Sequence, residues 1–314
     1  MTPVREVQPG PSVNDPLISG PSSLYRAELW RLGLLAARVI PRSLAGLVCR
    51  GSAAFYCHLH GRRREVVIQN LLPALNGDRA AAERTATALF RQFAFKVADL
   101  WRIESGVSLE DWNIDLMGWD LFASAQARGR GVLMLTPHLG NWELGGPLLT
   151  QRGVRLLVLT QPEPGAGLTE LRRASRARWG IETLVVRQDA FAFVEVIRRL
   201  QEGATVALLI DRPPAPTAVT VELFGRPFLA SIAAAELARA SGCSLLGTAL
   251  LRTADGYRVE ILPEFTYDRR ALGEREARRQ LTQQILRAFE PVIRQHLDQW
   301  YHFVPIWPEA SAGC

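Results

Sequence analysis

Two side chains in the run Pro137-His138-Leu139-Gly140-Asn141-Trp142-Glu143 can move a proton, an imidazole and a carboxylate five residues apart. On a continuous helix of 3.6 residues per turn they would point about 140° apart. They meet only if the chain turns between them, and Gly140 allows that. Once together, Glu143 accepts a hydrogen bond from one ring nitrogen of His138 and fixes its tautomer, leaving the other nitrogen to take a proton from an attacking group. A positioned base of this kind is worth roughly 10²–10⁴ in rate. The chain holds no G-x-S-x-G elbow, so the nucleophile is expected to be a hydroxyl of the substrate. Spacing alone fits equally a loop histidine satisfied by backbone, with Glu143 favouring a helix N-terminus.

The neighbouring sequence supplies elements to position such a pair. Residues 132–136 read as a buried strand, and in open α/β sheets ligands bind beyond the carboxyl ends of strands. Strands at 154–160, 183–186 and 204–210 then alternate with helices at 142–151, 168–179 and 189–202, the last with Asp189 as N-cap and Gly203 at its end. That alternation predicts a largely parallel sheet covered by helices. Asp211 follows the strand at 204–210, in the same layer as His138, where it either joins the site or caps the next loop. Further strands at 219–224, 244–251 and 257–262, a helix over 231–241 and a hairpin turn at Asp255-Gly256 make a mixed sheet edge. A long amphipathic helix over about 274–300 closes the chain. Before these, the periodicity is helical over 25–39, 51–70 and 80–102.

Length and composition bound the class. A chain of 314 residues with 48% apolar content builds one large or two small packed domains. Its four cysteines form no C-x-x-C pair and no regular spacing, which argues against a metal ribbon or a disulfide framework. The longest uncharged runs are 12 residues, too short for a spanning helix, which needs roughly 20. No pattern of a cleaved export signal is present, and the Pro-, Gly- and Ser-rich residues 1–23 read as a disordered arm.

Net charge is +6, and Lys96 is the sole lysine among 37 basic residues. Arginine's planar fork suits phosphate or carboxylate, so an anionic partner is expected unless base composition of the genome set the bias. The helix at 25–39 sets Tyr25, Leu29, Leu32, Ala36 and Val39 on one stripe and mixes Arg26, Arg31 and Arg38 with Trp30 and Leu34 elsewhere. That fits a helix lying in a lipid headgroup layer, or one packed on the core with solvated arginines. Trp300, Tyr301 and Trp307 suit headgroup level or core packing alike. His58 and His60 have no third ligand nearby and read as structural. Basic residues are spread over many segments with no recognised nucleic-acid motif, so nucleic acid is not an expected partner.

The string from His138 to Glu143 resembles the H-x4-D/E signature of glycerolipid acyltransferases, in the form carried by the lipid A biosynthesis acyltransferases, which add lauroyl or myristoyl chains. Arg64 with Asn70-Leu71, Arg176 with Gly180, Gly203 through Asp211, Phe224-Gly225 and Gln299-Trp300-Tyr301 fall in that family's order, covering about residues 24–307. The resulting expectation is an α/β fold, a mostly parallel mixed sheet flanked by helices, with a helical N-terminal membrane-associating region. It would form a single domain over 24–310, helical over 24–105 and α/β and catalytic over 106–310.

The resemblance implies transfer of a fatty acyl group from an acyl carrier protein or acyl-CoA thioester to a hydroxyl of a lipid acceptor. The implied location is the cytoplasmic face of the inner membrane, held peripherally on an anionic surface. No metal and no cofactor beyond the thioester co-substrate is implied. His138 is the expected general base, Glu143 its carboxylate, Arg176 a contact for oxyanion or phosphate, and Asn141 and Asp211 further substrate contacts. Thr160-Gln161-Pro162 stands where that family often has Tyr-Arg-Pro, Asp211-Arg212 where Asp-Gln is common, and Phe303-Val304-Pro305-Ile306 where a basic tail follows. These departures leave the acceptor open between a lipid A precursor, another glycolipid, a lysolipid and an acceptor made by a specialised pathway. The alternative from another class is a catalytically silent lipid- or carrier-binding module, against which the intact His/Glu pair argues.

Overall fold

The computed structural model describes residues 26–106, 112–163, 166–186, 190–212 and 217–308; the arm expected over 1–23, Tyr25 and the cap expected at Asp189 lie outside them. Four helices come first: α1 (Ala27–Val39), α2 (Arg42–Leu59), α3 (Gly61–Leu71) and α4 (Arg79–Glu104). Pro41 separates α1 from α2, and Asp78 caps α4 by accepting from the Ala81 amide at 2.9 Å. The α/β part follows as β1 (Asn113–Met117), α5 (Trp119–Ala127), β2 (Val132–Thr136), α6 (Trp142–Thr150), β3 (Leu156–Thr160), α7 (Ala166–Arg178), β4 (Glu182–Val185), α8 (Ala190–Gln201) and β5 (Thr205–Leu209). Then come β6 (Ala218–Leu223), β7 (Arg226–Ser231), α9 (Ala233–Ser241), β8 (Ser244–Arg252), β9 (Gly256–Ile261) and α10 (Arg275–Gln295).

Seven strands form one sheet in the order β1-β9-β8-β2-β5-β3-β4. Every neighbouring pair is parallel except β8 and β9, the hairpin at Asp255-Gly256. The fold is therefore the mixed, mostly parallel sheet flanked by helices that the alternation predicts. A separate hairpin pairs β6 with β7, with Leu223 opposite Arg226 across Phe224 and Gly225, both in the left-handed region at φ 51° and 72°.

Four local expectations need correction. Residues 113–127 hold β1 and α5, which the pattern did not reveal, because β1 is an edge strand whose residues alternate between exposed and half-buried. Strand β7 occupies the stretch up to Ser231, where a helix was expected to begin. The helix expected over 51–70 is two helices broken at His60, whose φ and ψ of −114° and 55° are not helical. The closing helix stops at Gln295, and a 3-10 turn at Leu297–Gln299 sends the chain back along the sheet as a terminal strap.

Alternate residues of β2 feed two apolar clusters on opposite faces of the sheet. Leu133 and Leu135 pack with Leu89 and Phe90 of α4, Val196 of α8, Leu237 of α9 and Ile285 of α10. Val132 and Met134 pack with Trp30, Leu100, Phe122 and Leu144. A fully buried leucine of this kind contributes about 1.5–3 kcal/mol. Both clusters mix residues from before and after residue 105.

The N-terminal helices lie against α4, and α1 turns Ala27, Trp30 and Gly33 inward. The stripe named from sequence faces outward: Leu32 is 61% exposed and Val39 79%, joined on α2 by Leu47 at 70% and Phe55 at 66%. Among the described residues no helix is long and apolar enough to cross a membrane.

Candidate active site

Strands β2 and β5 are parallel neighbours with Thr136 opposite Leu209. Two residues further along each chain, His138 and Asp211 face each other beyond the carboxyl edge of the sheet. The Asp211 carboxylate accepts from the His138 backbone amide at 2.9 Å and from its ring Nδ1 at 2.6 Å. It also accepts from Trp300 Nε1 at 3.1 Å and from His302 Nε2 at 2.9 Å. Burial alone would push the Asp211 carboxyl up, but the neighbouring His138 and His302 and their hydrogen bonds hold it well below the usual range.

An ionised carboxylate only accepts, so His138 carries its proton on Nδ1 and His302 on Nε2. Arg212 Nε donating to His302 Nδ1 at 3.4 Å agrees with that tautomer. Burial, opposed by Asp211, lowers the His138 pKa below its ordinary value and brings that of His302 to about 4. Near neutral pH, His138 is thus a neutral imidazole with Nε2 left as its basic atom, on the wall of a cavity.

The turn after His138 depends on Gly140, whose φ is +64°. A Cβ there would lie 2.0 Å from the Leu250 carbonyl oxygen, so no other residue fits. The terminal strap runs beside this turn. Tyr301 N–H donates to the His138 carbonyl and Gly140 N–H to that of Gln299, both at 2.8 Å. Asn70 fixes the strap from α3, donating to the His302 and Val304 carbonyls at 3.0 and 2.8 Å.

Glu143 does not orient His138, contrary to the expectation from their spacing. It lies in the first turn of α6, and its carboxylate is taken by two arginines one turn apart on α7, Arg172 at 2.6 Å and Arg176 at 3.1 Å. Arg172 also reaches Glu104 at 3.3 Å, and the same Glu104 accepts from Trp30 Nε1 at 2.7 Å. Burial works against the charge on Glu143, but Arg172, Arg176 and Lys96 overcome it and bring its pKa to about 2.

The remaining expected contacts divide. Arg176 lines the cavity with its guanidinium on Glu143. Asn141 is buried, 1% exposed, and donates to the Lys96 carbonyl at 3.4 Å and to Tyr257 Oη at 3.2 Å, bracing α4 from outside the cavity. Sequence reasoning missed His302, Arg172 and Glu104. Arg172 stands four residues before Arg176, the spacing of one helix face, which was the signal available for it. Trp300 and Tyr301 are buried, and the exposed His58 stands apart from the site.

The cavity measures about 2230 Å³ and is mostly apolar. Its polar wall holds His138, Glu143, Lys96, Glu163, Arg176 and Arg212, and the rest reaches α1 and α2 at Leu32, Ala36 and Phe55. The ligand atoms of His138, Asp211 and His302 lie within 4.8 Å of one another, close enough for a metal ion. They are already bonded to each other through ring protons, and the Trp300 N–H points at the same carboxylate, a donor that a cation would repel.

An imidazole backed by a buried carboxylate thus stands at the open edge of an α/β sheet, beside a large and mostly apolar cavity. The sequence model of the bacterial lipid A biosynthesis acyltransferases matches residues 23–308, so the chain belongs to that family. A phosphatidylinositol mannoside acyltransferase of Mycobacterium tuberculosis is 27% identical over 191 residues, 60% of this chain and 58% of the relative. The chain thus spans little more than half the length of that relative. One of the same description from Mycolicibacterium smegmatis is 25% identical over 299 residues, 93% of both chains.

Proposed function

We infer that this protein transfers a fatty acyl chain from a thioester, carried by acyl carrier protein or CoA, to a hydroxyl of a glycolipid at a membrane surface. The observation that carries this reading is His138, locked through Nδ1 to Asp211, with Nε2 left basic on the wall of an apolar cavity large enough for an acyl chain. As the acceptor oxygen bonds to the thioester carbon, its proton passes to Nε2, and Asp211 stabilises the imidazolium that forms. When the C–S bond breaks, the same proton passes to the departing thiolate, so one histidine serves both directions in one ternary complex.

The choice of a glycolipid acceptor is supported by the family and by relatives named for a mannosylated phosphoinositide. The exposed leucines of α1 and α2, flanked by exposed Arg31 and Arg38, support peripheral seating on an anionic bilayer. Glu143 holds α6 to α7, a positioning role in place of the base-orienting role expected from sequence.

His138→Ala tests the reading with palmitoyl-CoA as donor and a phosphatidylinositol mannoside or a lipid A precursor as acceptor, followed by lipid mass spectrometry. The expected result is a loss of roughly 10²–10⁴ in rate with melting temperature and vesicle binding retained. Undiminished transfer overturns it, and a wild-type chain that binds vesicles and thioester but never turns over makes it a binding module.

A further inference from the structure

The chain spends 36 of its 37 basic residues on arginine and places its single lysine where a solvated cation would not stand. Lys96 lies on α4, 7% exposed, on the cavity wall that holds His138. Its ammonium stands 3.6 Å from the centre of the Trp142 ring, with the rings of Phe93 and Tyr301 at 5.8 and 6.0 Å. His138 meets the same indole at a steep angle, 5.2 Å between ring centres, so the ammonium and the base share one ring as neighbour.

Among the described residues Lys96 Nζ makes no hydrogen bond and no ion pair. Its neighbouring cations are committed: Arg172 and Arg176 hold Glu143, and Arg212 donates to His302 and the Tyr301 carbonyl. Burying an ammonium without an acceptor costs several kcal/mol, and an apolar residue would avoid that cost. The ring face of Trp142 steadies the charge without neutralising it, so its three donors are left for a group that arrives with the substrate.

We propose that the Lys96 ammonium donates to the thioester carbonyl oxygen and takes up the negative charge that develops there, the role that the sequence suggested for Arg176. This rests on the acyl-transfer reading above. As the acceptor oxygen bonds to the thioester carbon and its proton moves to His138 Nε2, the carbonyl pair moves onto oxygen against the ammonium. When the C–S bond breaks, that pair returns, the thiolate takes the proton from His138, and Lys96 is unchanged. The ammonium meets a counter-charge at hydrogen-bond distance only in the tetrahedral state, so the contact lowers the barrier more than it tightens binding.

The charges facing Lys96 are Glu143 from α6, Arg172 and Arg176 from α7, Glu163 from the segment before α7, and His138 from the loop after β2. Burial is the largest influence and brings its pKa down to about 7. The active, protonated fraction therefore falls as pH rises through about 7, giving kcat an alkaline limb. An arginine in the same place stays charged and has no such limb.

The test uses the full chain, palmitoyl-CoA and a phosphatidylinositol mannoside in mixed micelles, with hydrolysis of palmitoyl-CoA by water as a second readout. Lys96→Met is expected to lower kcat by about 10²–10³, with both KM values near those of the wild type. Its melting temperature should hold or rise, since a buried charge has been removed. Lys96→Arg is expected to keep part of the activity and lose the alkaline limb. Wild-type kcat in Lys96→Met, a loss confined to KM, or an alkaline limb surviving in Lys96→Arg overturns the proposal. A wild-type chain that neither transfers nor hydrolyses overturns the acyl-transfer reading itself and this role with it, and that result is visible before any variant is made.

Discussion

Asp211 is a buried carboxylate and Glu143 a largely covered one, each held by several donors, yet the company of each gives it a different task. Asp211 faces two imidazoles and an indole, so the charge around it changes when a histidine gains a proton. Glu143 faces two guanidiniums whose charge is permanent, so its own charge is already matched before any substrate arrives. A carboxylate beside a titratable group can answer a reaction, whereas one beside fixed cations braces the scaffold. Spacing along the chain suggested the opposite division, because it made Glu143 the partner of His138.

Three measurements can break or sharpen this contrast. The largest effect is expected for Asp211→Asn, since the amide removes the charge that stabilises a His138 imidazolium and sets an NH2 donor against the N–H groups of Trp300 or His302. A loss approaching 10⁴ in kcat with modest change in melting temperature is the expected outcome, and near-normal kcat would remove Asp211 from the mechanism.

Next comes Glu143→Gln, which leaves Arg172 and Arg176 facing each other without their shared counter-charge. Breaking a buried pair in this way costs about 3–5 kcal/mol, read by urea denaturation. A stable Glu143→Gln protein that has lost only kcat would instead return Glu143 to the reaction.

The smallest effect separates the two clusters by pH. His302 titrates at about 4 in the fold against an ordinary 6.5. As pH falls through that window the unfolded chain takes up a proton that the folded chain refuses, so stability declines by up to about 1.4 kcal/mol per unit. Glu143, held at about 2 against an ordinary 4.5, contributes stability that is present above 4.5 and is lost only as pH falls toward 2. Denaturation curves of His302→Gln should lose part of the slope between pH 6.5 and 4 and keep the one below it. An unchanged upper slope would mean that His302 is not the titrating group.

Much of this was legible. The strand before His138, the turn allowed by Gly140, and an acid in the same layer at Asp211 could all be read from local pattern. What joins His138 to Asp211 is that β2 and β5 are neighbours in register, and strand order is set by tertiary packing of segments 73 residues apart. His302 was illegible for the same reason, because its place depends on a strap that turns back after α10. For α1 the period was correct and left the buried side open: a period of 3.6 marks a stripe without saying whether protein covers it, and here Trp30, on the other side, is the buried one. Glu143 misled because five residues look close in sequence, while the start of α6 turns its side chain toward α7.

The cavity wall includes Leu32, Ala36 and Phe55, from the same two helices whose leucines are bare at the surface. On the proposed reading, a lipid tail that enters from a bilayer against these helices exchanges one greasy environment for another, so the roughly 0.8 kcal/mol per methylene that water would lend is almost absent. Extra carbons then gain little grip, and selection among tails falls to the shape of the cavity, a matter of fit and not of greasiness.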